Sequence, residues 1–459
     1  MCKVFVLGLD CATPQLLFEQ YLDQLPTFAR LMQQGAWGRL KSSDPPITVP
    51  AWSCMFSGRD PGELGLYGFR NRADHSYDNL LLANSRVVHV KRAWDLASEA
   101  GHDVVVLGVP QTYPPTPVRG VMVASFLTPS KESNYTYPPL VKWELDQLAD
   151  GDYVIDVEDF RTDDKDALLQ RIHTMTRRRF QVARAWVHRK PWSLFCMVEM
   201  GPDRMHHGFW RFADAQHRLY EKGNRYEHAL LDYYRLLDQE LARLLELLPP
   251  ETTLLVVSDH GARGMEGGIC INEWLIREGL LKVKNYPDAV TPLRYDNVVW
   301  DETSAWGEGG YYGRLFLNVA GREPQGTIPA GEQQAFRDDL ARRLSAIPDA
   351  QGRSIDTAAH APEQLYREVN GVAPDLLIYF GDLAWRSVGS IGHRALHTFS
   401  NDTGPDDANH DHHGIFLARD AKLAGRGQMD SLSLYDIFPT IMDRLGLEVP
   451  QGLVGRVLR

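Results

Sequence analysis

The chain has few of the features that would tie it to a membrane, an oxidising compartment or a nucleic acid. No apolar stretch approaches the roughly 20 residues that span a bilayer as a helix, so no membrane segment is expected. The five cysteines (Cys2, Cys11, Cys54, Cys196 and Cys270) are an odd number with no CxxC spacing. Neither a disulfide framework nor a zinc ribbon follows from them, and a reducing cytoplasm is the expected location. Lys and Arg number 49 against 60 Asp and Glu, and the net charge is −11 with no long basic run, so a nucleic-acid polymer is not expected as partner. The one basic cluster, HTMTRRRFQVARAWVHRK (173–190), carries apolar residues at helical spacing and reads as a solvated helix face. The opening MCKVFVLGLD is apolar but short and ends in an aspartate, which predicts a buried first strand rather than a signal peptide. There is no internal repeat or low-complexity tract, and no oligomeric state is assigned.

What the sequence does contain is a set of short apolar, β-branched runs that end abruptly in polar residues. They are KVFVLGLD (3–10), DVVVLGVP (103–110), SLFCMVEMGPD (193–203) and TTLLVVSDHG (252–261), separated by helix-like segments. Such runs predict a mostly parallel sheet covered on both faces, an α/β/α sandwich. Ligands bind beyond the carboxyl ends of such strands, so Asp10, Asp203 and the pair Asp259-His260 become candidates for one site. The 459 residues suffice for a large α/β domain with insertions. We expect a core over 1–280, an inserted cap subdomain over 281–400 that is rich in aromatics and glycine, and a return to the core over 401–459. The strand HHGIFLARD (412–420) and the helix SLYDIFPTIMDRLGL (433–447) belong to that return. The acidic stretch DGDYVIDVEDFRTDDKD (150–166) reads as an exposed loop.

Three motifs add chemistry. In GPDRMHHGFW (201–210), Asp203 and His207 lie four apart and share a helix face, where they could hold a metal ion; a capping aspartate beside an incidental histidine is the plainer reading of that pair alone. His206 points elsewhere on the helix. In VVSDHGARG, Asp259 and His260 offer an oxygen and a nitrogen from one turn at a strand end, where a simple turn aspartate is the alternative. DANHDHHGIF (407–416) supplies His410, His412 and His413, of which one or two would point inward. DPPITVPAWSCMFSG (44–58) places Thr48 before a proline-containing first helical turn, either as a helix cap or beside N–H groups that favour an anion. Asp10, Thr48, Asp203, His207, Asp259, His260 and His410 are too many for one tetrahedral ion. They divide between two divalent ions, with zinc suited to the donor set and manganese or iron as substitutes.

This pattern resembles the alkaline phosphatase superfamily, and within it the type I phosphodiesterase/nucleotide pyrophosphatase branch. The resemblance runs in order from GLDCATP through TVPAWSCMFSG, GPDRMHH, SDHG and NHDHHGIF to DIFPTIMDRLGLEVPQGLVGRVL, nearly the whole chain. It implies that Asp10, Thr48, Asp259 and His260 hold one metal and Asp203, His207 and His410 the other. It also implies that Thr48 is the nucleophile in a hydrolase of small phosphodiesters or nucleotide pyrophosphates, through a covalent phospho-threonine. GMEGGICINEWLIREGLL (264–281) resembles the scaffold that follows the SDHG motif. A formylglycine sulfatase of the superfamily is not expected, because threonine occupies its cysteine slot and Trp52 its arginine slot.

One departure stands out. The branch often places a phosphate-contacting asparagine after an HG pair; here leucine replaces that histidine, and the slot falls on Phe69, with Asn71 two residues on. Arg70, Asn71 and Arg72 either substitute for it or are surface loop residues. Trp300, Trp306, Tyr311 and Tyr312 form either an aromatic wall for a base or the core of the insertion. The alternatives to a diesterase are a phosphomonoesterase or phosphonate- or phosphoglycerate-type enzyme, a sulfate-ester hydrolase using Thr48, and a non-catalytic metal-binding descendant.

Overall fold

A computed structural model describes residues 3–459; Cys2 lies outside them. The chain divides into two compact units: residues 1–64, 83–262 and 410–459 in the first, and 65–82 with 263–409 in the second.

The first unit is built on a ten-stranded sheet. Its strands, in chain order, are β1 (Val4–Leu9), β2 (Ala36–Lys41), β3 (Val104–Val109), β4 (Gly120–Ala124) and β5 (Thr136–Tyr137). They continue with β6 (Leu194–Glu199), β7 (Thr253–Val257), β8 (His413–Arg419), β9 (Gly427–Gln428) and β10 (Leu432–Ser433). The order across the sheet is β9-β2-β8-β7-β1-β6-β3-β4-β5, with β10 also on β2. The stretch from β7 to β4 is parallel throughout. Strands β1, β3, β6 and β7 are buried along their whole length, which is why they read as unbroken apolar runs rather than as alternating ones. This is the mostly parallel α/β architecture expected from the sequence.

Strand β8 is the exception that completes the site edge. It runs antiparallel to both β7 and β2. Its amino end therefore lies beside the carboxyl ends of those two strands, where His413 pairs with Lys41.

Helix α1 (Thr48–Ser57) follows β2, α2 (Lys165–Arg189) precedes β6, and α3 (Gly201–Ala213) follows it. The basic cluster on α2 is only partly a solvated face. Arg179 is fully buried, donating from Nη1 to Val198 O (2.9 Å) and from Nη2 to Ile155 O (2.5 Å), because it shares the inward stripe of Met175, Thr176 and Ala183. The 150–166 loop likewise turns Asp156 inward, onto Arg204. Cys11, Cys54, Cys196 and Cys270 are buried free thiols. No helix among the described residues is long and apolar enough to cross a membrane.

The second unit holds an antiparallel sheet of Ala305–Glu308, Gly313–Leu317, Leu376–Tyr379 and Ala358–His360. Trp300 and Trp306 are buried in its core, with Tyr77 stacked on Trp300 at 3.6 Å between ring centroids. These tryptophans are therefore core residues of the second unit. Asn71 is committed to its own turn, accepting from Tyr67 N (2.8 Å) and donating to Gly68 O (3.0 Å). Arg72 is not a surface residue: it is buried against Glu323 (3.3 Å).

Candidate active site

The three adjacent strands β7, β1 and β6 each lead into polar residues at the same edge of the sheet. Asp10 directly follows β1, Asp259 and His260 follow β7, and α3 begins just after β6 and carries Asp203 and His207 on one face. His410 reaches the same edge because it precedes the antiparallel β8. Thr48 arrives from β2 through a loop whose Ser42 donates to Asp259 O at 2.5 Å. All seven residues singled out from the sequence are buried in the first unit and lie at this edge.

Thr48 is not a cap. The N-cap of α1 is Ile47, which makes no side-chain capping bond, and Thr48 is the first helical residue. Pro50 falls in the first turn, where a missing N–H leaves no intrahelical bond unmade. The Thr48 hydroxyl instead lies 3.3 Å from Nε2 of His260.

The ligand atoms group as Asp10, Asp259 and His260, and as Asp203, His260 and His410, each set within 4.8 Å. His260 thus adjoins both groups. Its Nε2 is 3.2 Å from Asp259 and 3.8 Å from Asp10. In the second group, His207 Nε2 is 3.2 Å from Asp203 Oδ1 and 3.3 Å from His410 Nε2, and His410 is 3.7 Å from the same carboxylate oxygen.

The tautomers follow from the other ring nitrogens. His260 Nδ1 lies 3.0 Å from Gly261 O and His410 Nδ1 lies 2.9 Å from Pro46 O. A carbonyl can only accept, so each Nδ1 carries the proton and each Nε2 presents a lone pair to the site. Burial lowers both imidazole pKa values, that of His260 to about 4, which keeps these rings neutral at pH 7.

The carboxylates repeat one design. Asp10 Oδ2 accepts from Trp52 Nε1 (2.6 Å), Asp259 Oδ1 from Cys11 N (3.2 Å), and Asp203 Oδ2 from Arg204 Nη1 (2.5 Å). The other oxygens of Asp10 and Asp259 are buried and accept no hydrogen bond. Burial, then the Asp203 charge, pushes Asp10 well above the usual carboxylate range; burial, then the Asp10 charge, does the same to Asp259. Burial also opposes ionisation of Asp203, but His207 and Arg204 outweigh it and hold that carboxyl well below the range. Orphaned carboxylate oxygens and imidazole lone pairs directed at common points repel one another unless cations sit among them. The donor set of carboxylate oxygen and imidazole nitrogen fits divalent cations.

Two contributors were not evident from the sequence. Trp52, one helical turn beyond Thr48, holds Asp10, and Arg204 holds Asp203. Neither has a local signal: a tryptophan in an apolar helix and an arginine in a polar one read as packing and solvation. His206, set aside from the ligands, does face another way, with Nε2 3.2 Å from Tyr234 OH.

The family model for type I phosphodiesterase / nucleotide pyrophosphatase matches residues 4–414. Among solved structures, human ectonucleotide pyrophosphatase / phosphodiesterase 5 is similar, with a TM-score of 0.55, 13% identity, and coverage of 98% of this chain and 96% of that one. The murine protein of the same name, solved as an inactive variant in complex with AMP, has a TM-score of 0.56 at 13% identity, with 98% and 96% coverage. At that identity the likeness shows the fold. No curated protein matches the chain by sequence.

Proposed function

Since the chain belongs to the type I phosphodiesterase / nucleotide pyrophosphatase family and is a hydrolase of that type, we propose that it cleaves small phosphodiesters or nucleotide pyrophosphates with Thr48 as nucleophile at a two-cation site. Asp10, Thr48, Asp259 and His260 would hold one cation, and Asp203, His207 and His410 the other. Zinc suits the donors, with manganese or iron as substitutes. When bound, the cations would lower the pKa of the attacking hydroxyl and neutralise charge on the phosphoryl oxygens.

The residues of the chain supply the rest. Thr48 stands at the first position of α1, with its hydroxyl fixed against His260 and with unspent N–H groups of the first turn beside it. Its oxygen forms a bond to phosphorus as the ester oxygen leaves, and the hydroxyl proton departs, in net terms, with the leaving alcohol or phosphate. Water then splits the phospho-threonine and restores the hydroxyl. His260 and His410 are neutral and present lone pairs, so they serve as ligands rather than general acids. The AMP complex of the murine relative supports a small nucleotide ester as the substrate class.

The observation that carries this reading is the Thr48 hydroxyl placed against His260 instead of capping its own helix. Hydrolysis of bis-p-nitrophenyl phosphate, p-nitrophenyl phosphate and p-nitrophenyl sulfate, compared between metal-reconstituted protein and Thr48→Ala, tests it. A preference for the diester, reduced at least a thousandfold by the substitution, is expected. A monoester or sulfate preference would replace the substrate class, and turnover that survives Thr48→Ala would remove the nucleophile.

A further inference from the structure

Each of the three site carboxylates has one oxygen tied down by the protein, but the ties differ in kind. Asp10 is held by an indole N–H and Asp259 by a backbone N–H, both neutral. Asp203 alone is held by a charged group, the guanidinium of Arg204. That guanidinium is itself braced: Nε and Nη2 reach the two oxygens of Asp156 at 3.2 and 2.5 Å. It lies 4.4 Å from the ring centroid of Phe160, and its side chain is 8% exposed.

From this arrangement we infer that Arg204 is a positioning residue that makes Asp203 a one-oxygen ligand of the Asp203–His207–His410 cation. The inference rests on the two-cation reading above. A free carboxylate can swing or chelate through both oxygens. With Oδ2 committed to Arg204, only Oδ1 remains, and it is this oxygen that lies within 3.2 Å of His207 and 3.7 Å of His410. The fork geometry is essential, because one planar group must bridge Asp156 and Asp203 at once. A lysine, as a point charge, can satisfy one carboxylate but cannot hold both in register. Partners that orient metal ligands in this way typically change affinity by about 10- to 100-fold when removed.

The test is metal affinity, measured by competition with a chromophoric zinc chelator and by metal content per chain, on full-length protein with folding checked by circular dichroism. Wild type, His207→Ala, Arg204→Met, Arg204→Lys and Asp156→Asn are compared. Wild type is expected to bind two ions. Arg204→Met should weaken by about 10- to 100-fold the same ion that His207→Ala loses, leaving the other dissociation constant unchanged. Arg204→Lys and Asp156→Asn should weaken that ion by less. A general structural role would instead weaken both ions together, which would overturn the inference. Two ions bound with wild-type constants in Arg204→Met would overturn it alone; if that variant does not fold, unchanged constants in both Arg204→Lys and Asp156→Asn would do so. A wild-type chain that binds fewer than two ions would overturn the two-cation reading and this inference with it.

Discussion

At the scale of single residues, the site is a set of groups whose ordinary behaviour is altered by burial. His206 shows this without being a ligand. Stacked against Tyr234 and edge-on to Trp210, it is held neutral by burial, with its pKa lowered to about 3. The unfolded chain, with a histidine pKa of about 6.5, takes up a proton that the folded chain refuses. Below about pH 6.5 the folded state is therefore penalised, and the loss continues until about pH 3. Replacement by phenylalanine removes that term. Chemical denaturation at pH 7.5 and 5.0 should show His206→Phe gaining on wild type as pH falls, by at most about 1.4 kcal/mol per unit. An unchanged difference between the two pH values would mean that His206 is protonated in the fold. Residue identity was the most legible level of the sequence: Asp10, Asp203, Asp259 and His260 stand out as polar residues closing apolar runs. The tethers Trp52 and Arg204 were not legible: Trp52 is 42 residues from Asp10, and Arg204, although next to Asp203, is braced by Asp156, 48 residues away.

At the scale of elements, strands aim the ligands and helices hold them. Buried parallel strands were readable as continuous apolar runs, and the antiparallel turn of β8 was not, since nothing in HGIFLAR encodes direction. Gly8 illustrates how an element position serves the site. It lies within β1, where glycine ordinarily weakens a strand. A Cβ there would meet Cη2 of Trp52 at 2.4 Å and Cγ2 of Val198 at 2.8 Å. The missing side chain is what lets the Trp52 indole lie over the strand and reach Asp10. Gly8→Ala should cost about 1–3 kcal/mol by overpacking and also weaken cation binding at Asp10, read by denaturant unfolding and metal titration on one preparation. A stability loss with unchanged metal affinity would show that the Trp52 bond does not govern cation binding at Asp10. The same physics explains why Arg179 departs from the solvated face that apolar spacing on α2 predicts for the basic cluster. Burial of Arg179 depends on carbonyls of a distant loop and strand, which helical periodicity does not see.

At the scale of the molecule, the first unit gathers at one sheet edge three carboxylates and three imidazoles drawn from widely separated segments. Without cations this edge concentrates like charge and unsatisfied oxygens, so the folded state should be measurably dependent on metal. Exhaustive chelation is expected to lower Tm by several degrees, and zinc or manganese to restore it. A Tm unmoved while the metal content falls to zero would mean that the site is neutralised by protonation instead. The fold class was legible because strand and helix patterns are local. The composition of the second unit was less so: residues 65–82 join 263–409 through long-range packing, such as Tyr77 on Trp300, that no stretch of sequence announces.

The central claim is that Thr48 becomes covalently phosphorylated. The most direct measurement is rapid-quench turnover of bis-p-nitrophenyl phosphate by the metal-loaded protein, with intact-mass and peptide analysis of the quenched chain. A mass increase corresponding to one nitrophenyl phosphate group per chain is expected, located on Thr48 and absent from Thr48→Ala. Steady release of nitrophenol, with no adduct trapped at any time and with activity retained in Thr48→Ala, would contradict it.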